Sequence, residues 1–393
     1  MTAEPQHIVS RYLQQRVLLL SLVLLALLFV VTAALSRAYH AREEALARYW
    51  ADMGDADLSA HTPANAFEDY RNSLSYVHEN ADVQLHLAEA LLADGRLTEA
   101  RSYLANLWDQ APGSGQVNLD LAEVSRQMGD PDRAIRYFRN AIAGSWDGDS
   151  SAQRRNARLQ LYEYLMGNRR TDEAQAVIAG IAGDTPAQNG SVHEENAHLF
   201  LRAGDPVKAL AEFEAALQTD PQNSQWLAEA AQVAFEDGNY SKAETYFSRA
   251  MSESPTDDLR ASRELVADVL RNDPFLAGLS EEEQSRRTWR DFQIALARLR
   301  KCTRDSANNS ASEHPSPDPD ALNKEAEDMQ KRVNLSALAT DSDLRGEAME
   351  FVSRVEDAAS ETCGPATSLD QALRLLKKQQ EGPRQRTTVK DLR

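Results

Sequence analysis

The sequence predicts an all-α protein: a helical-hairpin solenoid that follows an N-terminal transmembrane helix and leads into a small C-terminal helical region. Three observations carry this. Residues 17–35 form an uncharged run made mostly of Leu, Val and Ala. Small residues then recur at a spacing of thirty-four. After residue 257 come segments with helix-period apolar faces and N-terminal capping signals. The composition of the 393 residues, 42% hydrophobic, supplies a core, and the net charge of -18 (61 acidic against 43 basic residues) argues against nucleic acid bound through a broad basic face. The partners expected are proteins or peptides with neutral or basic segments.

Residues 1–16 are read as a short tail and 17–36 as the membrane helix, since such a run matches one bilayer core at about 1.5 Å per residue. The apolar cores of cleaved signal peptides are shorter, about 7–15 residues, which favours an uncleaved anchor. Arg11 and Arg16 on one side nearly balance Arg37, Arg42 and Arg48 on the other, so charge bias alone does not set orientation. Long following domains translocate largely regardless of charge. The expectation is therefore a single-pass protein of a bacterial inner membrane with its body outside the cytoplasm.

The repeat is clearest where Ala197, Gly204, Ala209, Phe213, Ala216 and Pro221 recur as Ala231, Gly238, Ala243, Phe247, Ala250 and Pro255. Upstream, Ala88, Gly95 and Ala100 recur as Ala122, Gly129 and Ala134. A degenerate unit with Ala174, Ile178 and Pro186 lies between these pairs, after an insertion at GSWDGDSS. Units beginning near Ala81, Gly115, Arg155, Gly190 and Ser224 make five over 81–257, and a degenerate sixth over 47–80 places Trp50, Gly54, Ala66 and Tyr70 at matching positions. Each unit reads as a hairpin. Its first helix ends at a glycine suited to a left-handed cap, and its second buries Ala and Phe on one face. Small residues recur because two helices approach closely only where Ala or Gly leaves room for a large neighbour. A single hairpin cannot bury its face, and stacked neighbours can.

This order of small residue, Gly, Ala, aromatic, Ala and Pro resembles the tetratricopeptide repeat family, and the whole chain resembles membrane-anchored bacterial tetratricopeptide proteins of unassigned role. The resemblance implies a right-handed superhelix whose concave groove, lined mainly by the first helices, binds peptides or proteins. One residue beyond each buried small residue of those helices stand Glu89, Glu123, Glu163, His198 and Gln232. Asp82, Asp120, Glu194, Glu195, Glu229 and Glu236 share that inner face, with only Arg126 and Arg202 opposing them. The family's Lys, Arg and Asn clamp for a C-terminal carboxylate has no counterpart at these acidic or apolar positions. Two readings stand side by side: a solvated face, or a ladder for Lys- and Arg-bearing segments formed by Glu89, Glu123, Glu163, Glu194, His198, Glu229 and Gln232.

Residues 258–302 are read as capping helices. Leu265, Val269 and Leu270 should meet the last repeat, and Ser280 with Glu283 should open the next helix as a capping box. Residues 303–319, rich in Ser, Asn, Asp and Pro, are read as a flexible linker. Residues 320–381 read as three helices bundling with the Trp289 helix, the last opened by Ser368 and Gln371, and 382–393 as a basic tail. Cys302 and Cys363 flank the linker. They are read either as one bridge or as two unrelated thiols.

The nearest approach to a metal motif is HEENAH, but its histidines His193 and His198 are five apart, about 140° around a helix, so no metal site is assigned. No cofactor is expected, and no Gly-rich phosphate loop or nucleophile elbow is present in the sequence. The function expected is a membrane-anchored interaction scaffold and not an enzyme, with a self-associating envelope subunit, or an enzyme with its site in the C-terminal bundle, as the alternatives.

Overall fold

The computed structural model describes residues 6–308, 319–362 and 367–381, with side chains placed for 18–304, 321–360 and 367–376. Among the described residues there are eighteen helices and no strand, only one isolated bridge between Ser114 and Ser145. The chain divides into two compact bodies, Met1–Tyr164 and Leu165–Arg393.

In the first body, α1 (Gln6–Ser59) and α2 (Pro63–Tyr76) pair over the degenerate repeat. The first repeat is α3 (Ala81–Ala93) with α4 (Leu97–Gln110), and the second is α5 (Gly115–Gln127) with α6 (Pro131–Ala143). Helix α7 (Ser150–Gly167) opens the third repeat and runs across the division between the bodies. In the second body, α8 (Thr171–Gly183) is followed by α9 (Gly190–Arg202) with α10 (Pro206–Thr219), then α11 (Ser224–Glu236) with α12 (Tyr240–Glu253).

The membrane helix expected to end at residue 36 does not end there. Helix α1 continues to Ser59, and its last turns are the first helix of the degenerate repeat: Ala47 is buried, and Gly54 lies so close to Tyr70 that a Cβ would meet the ring at 2.6 Å. No helix breaker interrupts residues 36–50, so the helix propagates from the apolar run into the repeat. The apolar stretch, with Leu18 to Leu35 exposed, is long enough to cross a bilayer.

One backbone device marks every repeat. Gly95, Gly129, Gly204 and Gly238 end first helices at φ between 72° and 79°, and His61 (58°) and Arg169 (59°) hold the same place in the two degenerate repeats. The next residue's N–H closes on the carbonyl five residues back: Thr62 on Asp57, Arg96 on Leu91, Asp130 on Ser125, Arg170 on Leu165, Asp205 on Phe200 and Asn239 on Ala234. That is the Schellman closure, which satisfies the carbonyls a helix end leaves open. Asp130, Asp205 and Asn239 then cap the second helices with their side chains; Arg96 and Arg170 replace such a cap by pairing with Glu99 and Glu173. The insertion between the second and third repeats folds back on the second. The Trp146 ring lies 2.2 Å from where a Gly115 Cβ would stand, and Gly115 N–H donates to Ser145 O at 2.7 Å.

The periodic small residues Ala88, Ala122, Ala197 and Ala231 are wholly buried in their own bodies beside large side chains such as Leu104, Phe138, Phe213 and Phe247. Beyond the repeats, α13 (Asp257–Asn272) packs on α12, with Val269 and Leu270 buried and Leu265 half-buried. Helix α14 (Glu281–Asn308) begins with Ser280 Oγ accepting from Glu283 N–H at 3.3 Å. It runs into the segment read as a linker from 303, because the amphipathic pattern of its body carries the helix on to Asn308; residues 309–318 lie outside the described residues.

Helices α15 (Pro319–Arg332), α16 (Leu335–Thr340), α17 (Ser342–Thr362) and α18 (Ser368–Glu381) follow. Helix α14 packs on α15, α16 and α17 around Phe292, Leu296, Met349, Phe351 and Val352, while α18 packs on α17 and α13. The short α16 has no counterpart in the sequence reading. The cap of α18 sits one residue earlier than Ser368 and Gln371: Thr367 Oγ1 accepts from Asp370 N–H (3.2 Å), and Asp370 Oδ2 accepts from Thr367 N–H (2.8 Å). Ser368 instead donates to Asp268 of α13. Residues 382–393 and Cys363 lie outside the described residues.

Candidate functional site: the inner face of the first helices

Counting each repeat from its first residue (47, 81, 115, 155, 190 and 224), the ninth position holds Asp55, Glu89, Glu123, Glu163, His198 and Gln232. Asp55 was missed by the sequence reading, although the spacing of thirty-four from Asp55 to Glu89 to Glu123 was there to find it. Position nine of one repeat meets position six of the next. The observed pairs are Asp55 with His86 (Oδ1 to Nδ1, 3.3 Å), Glu89 with Asp120, and His198 with Glu229 (Nε2 to Oε2, 3.1 Å).

The middle pair differs from the other two. Asp55 faces an imidazole and also accepts from Tyr70 Oη at 2.7 Å. Glu89 faces another carboxylate. Gln116 Nε2 lies between them, donating to Glu89 Oε1 (3.3 Å) and Asp120 Oδ1 (3.0 Å), and no Lys or Arg among the described residues joins them. Asp120 is only 7% exposed, and its Oδ2 is enclosed without a hydrogen-bond partner. Burial, reinforced by the neighbouring Glu89 charge, pushes the Asp120 carboxyl well above the ordinary aspartate range against the pull of Gln116. Burial also raises Glu89, with His86 and Gln116 acting against it. Two carboxylates sharing one site disfavour joint ionisation.

The other expected groove residues are arranged unequally. Glu123 is half-buried and bound within its own helix by Arg126 and Gln127, and the Arg126 hydrogen bond holds its carboxyl below the usual range. Glu163 is exposed. The side chains at this register therefore do not form a uniform row facing solvent. In the second body Glu194 and Glu229 share the Gln225 amide, Nε2 donating at 3.1 and 3.0 Å, and Gln232 is exposed and donates to Glu236 on its own helix. His193 and His198 point apart. His193 is buried against Glu212 of α10 (Nδ1 to Oε2, 2.7 Å), while His198 stands on the inner face with its ring edge-on to Phe213.

A second ionic cluster lies inside the C-terminal helices. Arg298 on α14 meets Glu356 on α17 (Nε to Oε2, 2.9 Å) and Asp370 on α18 (Nη1 to Oδ2, 2.5 Å). One guanidinium faces two buried carboxyls, and burial raises Glu356 to about 7 despite Arg298. This cluster ties three helices together. Asp291 of α14 is buried with neither carboxyl oxygen hydrogen-bonded, Arg290 Nε standing 3.8 Å from its Oδ1, and burial raises it to about 7 despite Arg290 and Arg287. Cys302 is buried and disulfide-bonded.

These features define a helical-hairpin solenoid with an acidic inner face. Residues 57–118, 91–141 and 200–268 match the tetratricopeptide repeat model, which agrees with the helical hairpins that those segments form. The unmatched stretch between holds the Trp146 insertion and the third repeat, with Arg169 where four of the other repeats have glycine. Similar solved structures include Pseudomonas aeruginosa pilF (20% identity, covering 48% of this chain and 82% of that one, TM-score 0.28), the tetratricopeptide protein YrrB with an unusual peptide-binding site (17%, 48% and 94%, 0.33), and the TPR2AB domain of yeast Sti1 in a pHSP90 complex (15%, 56% and 95%, 0.26). No curated protein matches.

Proposed function

We propose that this protein is a membrane-anchored interaction scaffold whose inner face takes a basic segment of a protein partner, with a Lys or Arg side chain seated between Glu89 and Asp120. The observation that carries this reading is the enclosed, unpartnered Oδ2 of Asp120 beside a second carboxylate. A cationic side chain delivered there would join both carboxylates and remove the cost of keeping them together. The corresponding pairs Asp55–His86 and His198–Glu229 already hold an imidazole and offer less to an incoming cation. The net charge of -18 steers basic partners towards the chain. Tetratricopeptide repeat proteins generally serve as non-enzymatic scaffolds, which agrees with this role.

The anchor in this reading is the apolar part of α1, through residues 17–35. Because α1 is continuous, it joins the bilayer to the degenerate repeat without a flexible joint. The body is assigned outside the cytoplasm of a bacterial inner membrane, where a Cys302–Cys363 disulfide would persist.

The test uses the full-length chain in detergent and a fluorescent hexalysine peptide, with hexaglutamate as control. The double variant Glu89→Gln/Asp120→Asn should lose at least about tenfold in hexalysine affinity, one desolvated charge pair being worth more than about 1.4 kcal/mol. The equally charged control Glu253→Gln/Glu264→Gln, at exposed positions away from that face, should change it less than about twofold. Equal losses in both variants would mean that hexalysine reads only the overall charge, and the seat between Glu89 and Asp120 would be refuted.

A further inference from the structure

In the second body, α9 and α11 bring Glu194, His198 and Glu229 together so that one ligating atom of each lies within 4.8 Å of the other two. Glu194 and His198 are four residues apart on α9, the spacing that stacks two side chains on one helix face. Glu229 reaches them from the next repeat. The two histidines of HEENAH cannot share an ion because they diverge, whereas the pairing of its first glutamate with its second histidine does converge.

The donor atoms are already prepared. Gln225 Nε2 donates to Oε1 of Glu194 and to Oε1 of Glu229, which fixes both carboxylates and leaves Oε2 of each without that bond. Glu229 Oε2 is enclosed and makes no hydrogen bond: its 3.1 Å approach to His198 Nε2 lacks hydrogen-bond alignment. Two donor atoms bound to one ion at about 2.1 Å, subtending 90–110°, stand roughly 3.0–3.4 Å apart. The 3.1 Å separation falls in that range. Phe213, edge-on to the His198 ring at 5.6 Å, limits the ring's rotation.

We propose that Glu194, His198 and Glu229 form a binding site for a divalent first-row transition ion, with Zn²⁺ as the type case. One imidazole nitrogen and two carboxylate oxygens suit such an ion, and the half-exposed His198 leaves its remaining positions to water or to a partner's side chain. The ion would join α9 to α11 across the boundary of the fourth and fifth repeats. It would replace the 3.1 Å contact between His198 and Glu229 with two metal bonds. The proposal does not depend on the seat at Glu89 and Asp120, which lies in the first body.

The experiment is isothermal titration of Zn²⁺ into the chelator-stripped full-length chain in detergent, with thermal melting in parallel. The wild type should show one site in the micromolar range or tighter. His198→Ala should remove one equivalent from the stoichiometry, and Glu194→Gln should weaken that site by at least about tenfold. Glu253→Gln should change neither. Zn²⁺ should raise the melting temperature of the wild type and of Glu253→Gln but not of His198→Ala. If His198→Ala keeps the wild-type stoichiometry and affinity, or the wild type takes up no Zn²⁺ below millimolar concentration, the site is refuted. Circular dichroism of both variants confirms that they fold, as expected for side chains on the solvent-facing side of their helices.

Discussion

The junction between the first and second repeats and the junction between the fourth and fifth are built from the same register but carry different charge. Glu89, Gln116 and Asp120 stand at the first, and His198, Gln225 and Glu229, each 109 residues later, at the second. Both use a glutamine amide to hold the position-six carboxylate, at 3.0 Å in each case. Of these three positions only the ninth changes its charge type, Glu89 against His198, while the sixth keeps a carboxylate as Asp120 or Glu229. A glutamate at position nine leaves two acids facing each other and one carboxyl oxygen enclosed without a partner, whereas a histidine there gives the acid a nitrogen to face. The helical frame is thus indifferent to a choice that separates the ligand proposed for each junction: an organic cation at the first, a metal ion at the second.

The sharpest way to separate frame from groove is to damage the frame equally. Ala122 and Ala231 occupy corresponding, wholly buried positions in the two bodies. Leu at either site should overpack the hairpin contact and cost about 3 kcal/mol, read as a lower denaturation midpoint. Similar losses at both would confirm that the frames are interchangeable. A tolerated Leu at one would break the comparison.

A smaller effect probes the charges. Asp120→Asn should stabilise the folded chain by about 1–2 kcal/mol at pH 8, because the buried carboxylate is replaced by a neutral group that still accepts from Gln116. The pH dependence follows from the upward shift of Asp120. Between its ordinary value of 3.8 and its higher folded value, the native state binds more protons than the unfolded one. The stability it contributes is therefore complete below pH 3.8 and falls as the pH rises through the folded value. The advantage of Asp120→Asn should accordingly shrink at pH 5. Glu229→Gln should give no such gain, since Glu229 already faces His198. Chemical denaturation at the two pH values reads both.

The smallest effect concerns the left-handed caps. Arg169 holds a backbone conformation that glycine occupies in its neighbours, so Arg169→Gly should stabilise by about 1 kcal/mol. Gly204→Ala, in the same body, should destabilise by a similar amount. No space conflict complicates the second change, as nothing lies within 4 Å of a Cβ at Gly204. Melting temperatures moving in opposite directions would confirm that conformation, not contact, sets the difference.

Local rules made much of this legible from the residues. Helix period, glycine at the cap and alanine at the close approach each follow from bonds within one hairpin, and they recur because every hairpin solves the same packing problem. The uncharged run at residues 17–35 is equally local. Ser280 with Glu283 was readable for the same reason. Ser368 with Gln371 was not, because Asp370 lies one residue earlier and its carboxylate serves both Thr367 and the distant Arg298.

The tertiary structure alone decided how those elements meet. It extended α1 unbroken from the apolar run into the degenerate repeat, and it put His61 and Arg169 in left-handed caps where no glycine advertises one. It sank Asp120 while leaving Glu163 exposed, although both belong to the inner face in the sequence. It also turned one histidine of HEENAH inward to Glu212 and the other outward to Glu229. The physical reason is range. A backbone conformation answers to neighbours a few residues away, but the free energy of a charge depends on burial and on whichever side chain the next repeat sets opposite it, and a repeating sequence specifies the register of that meeting without specifying its charge.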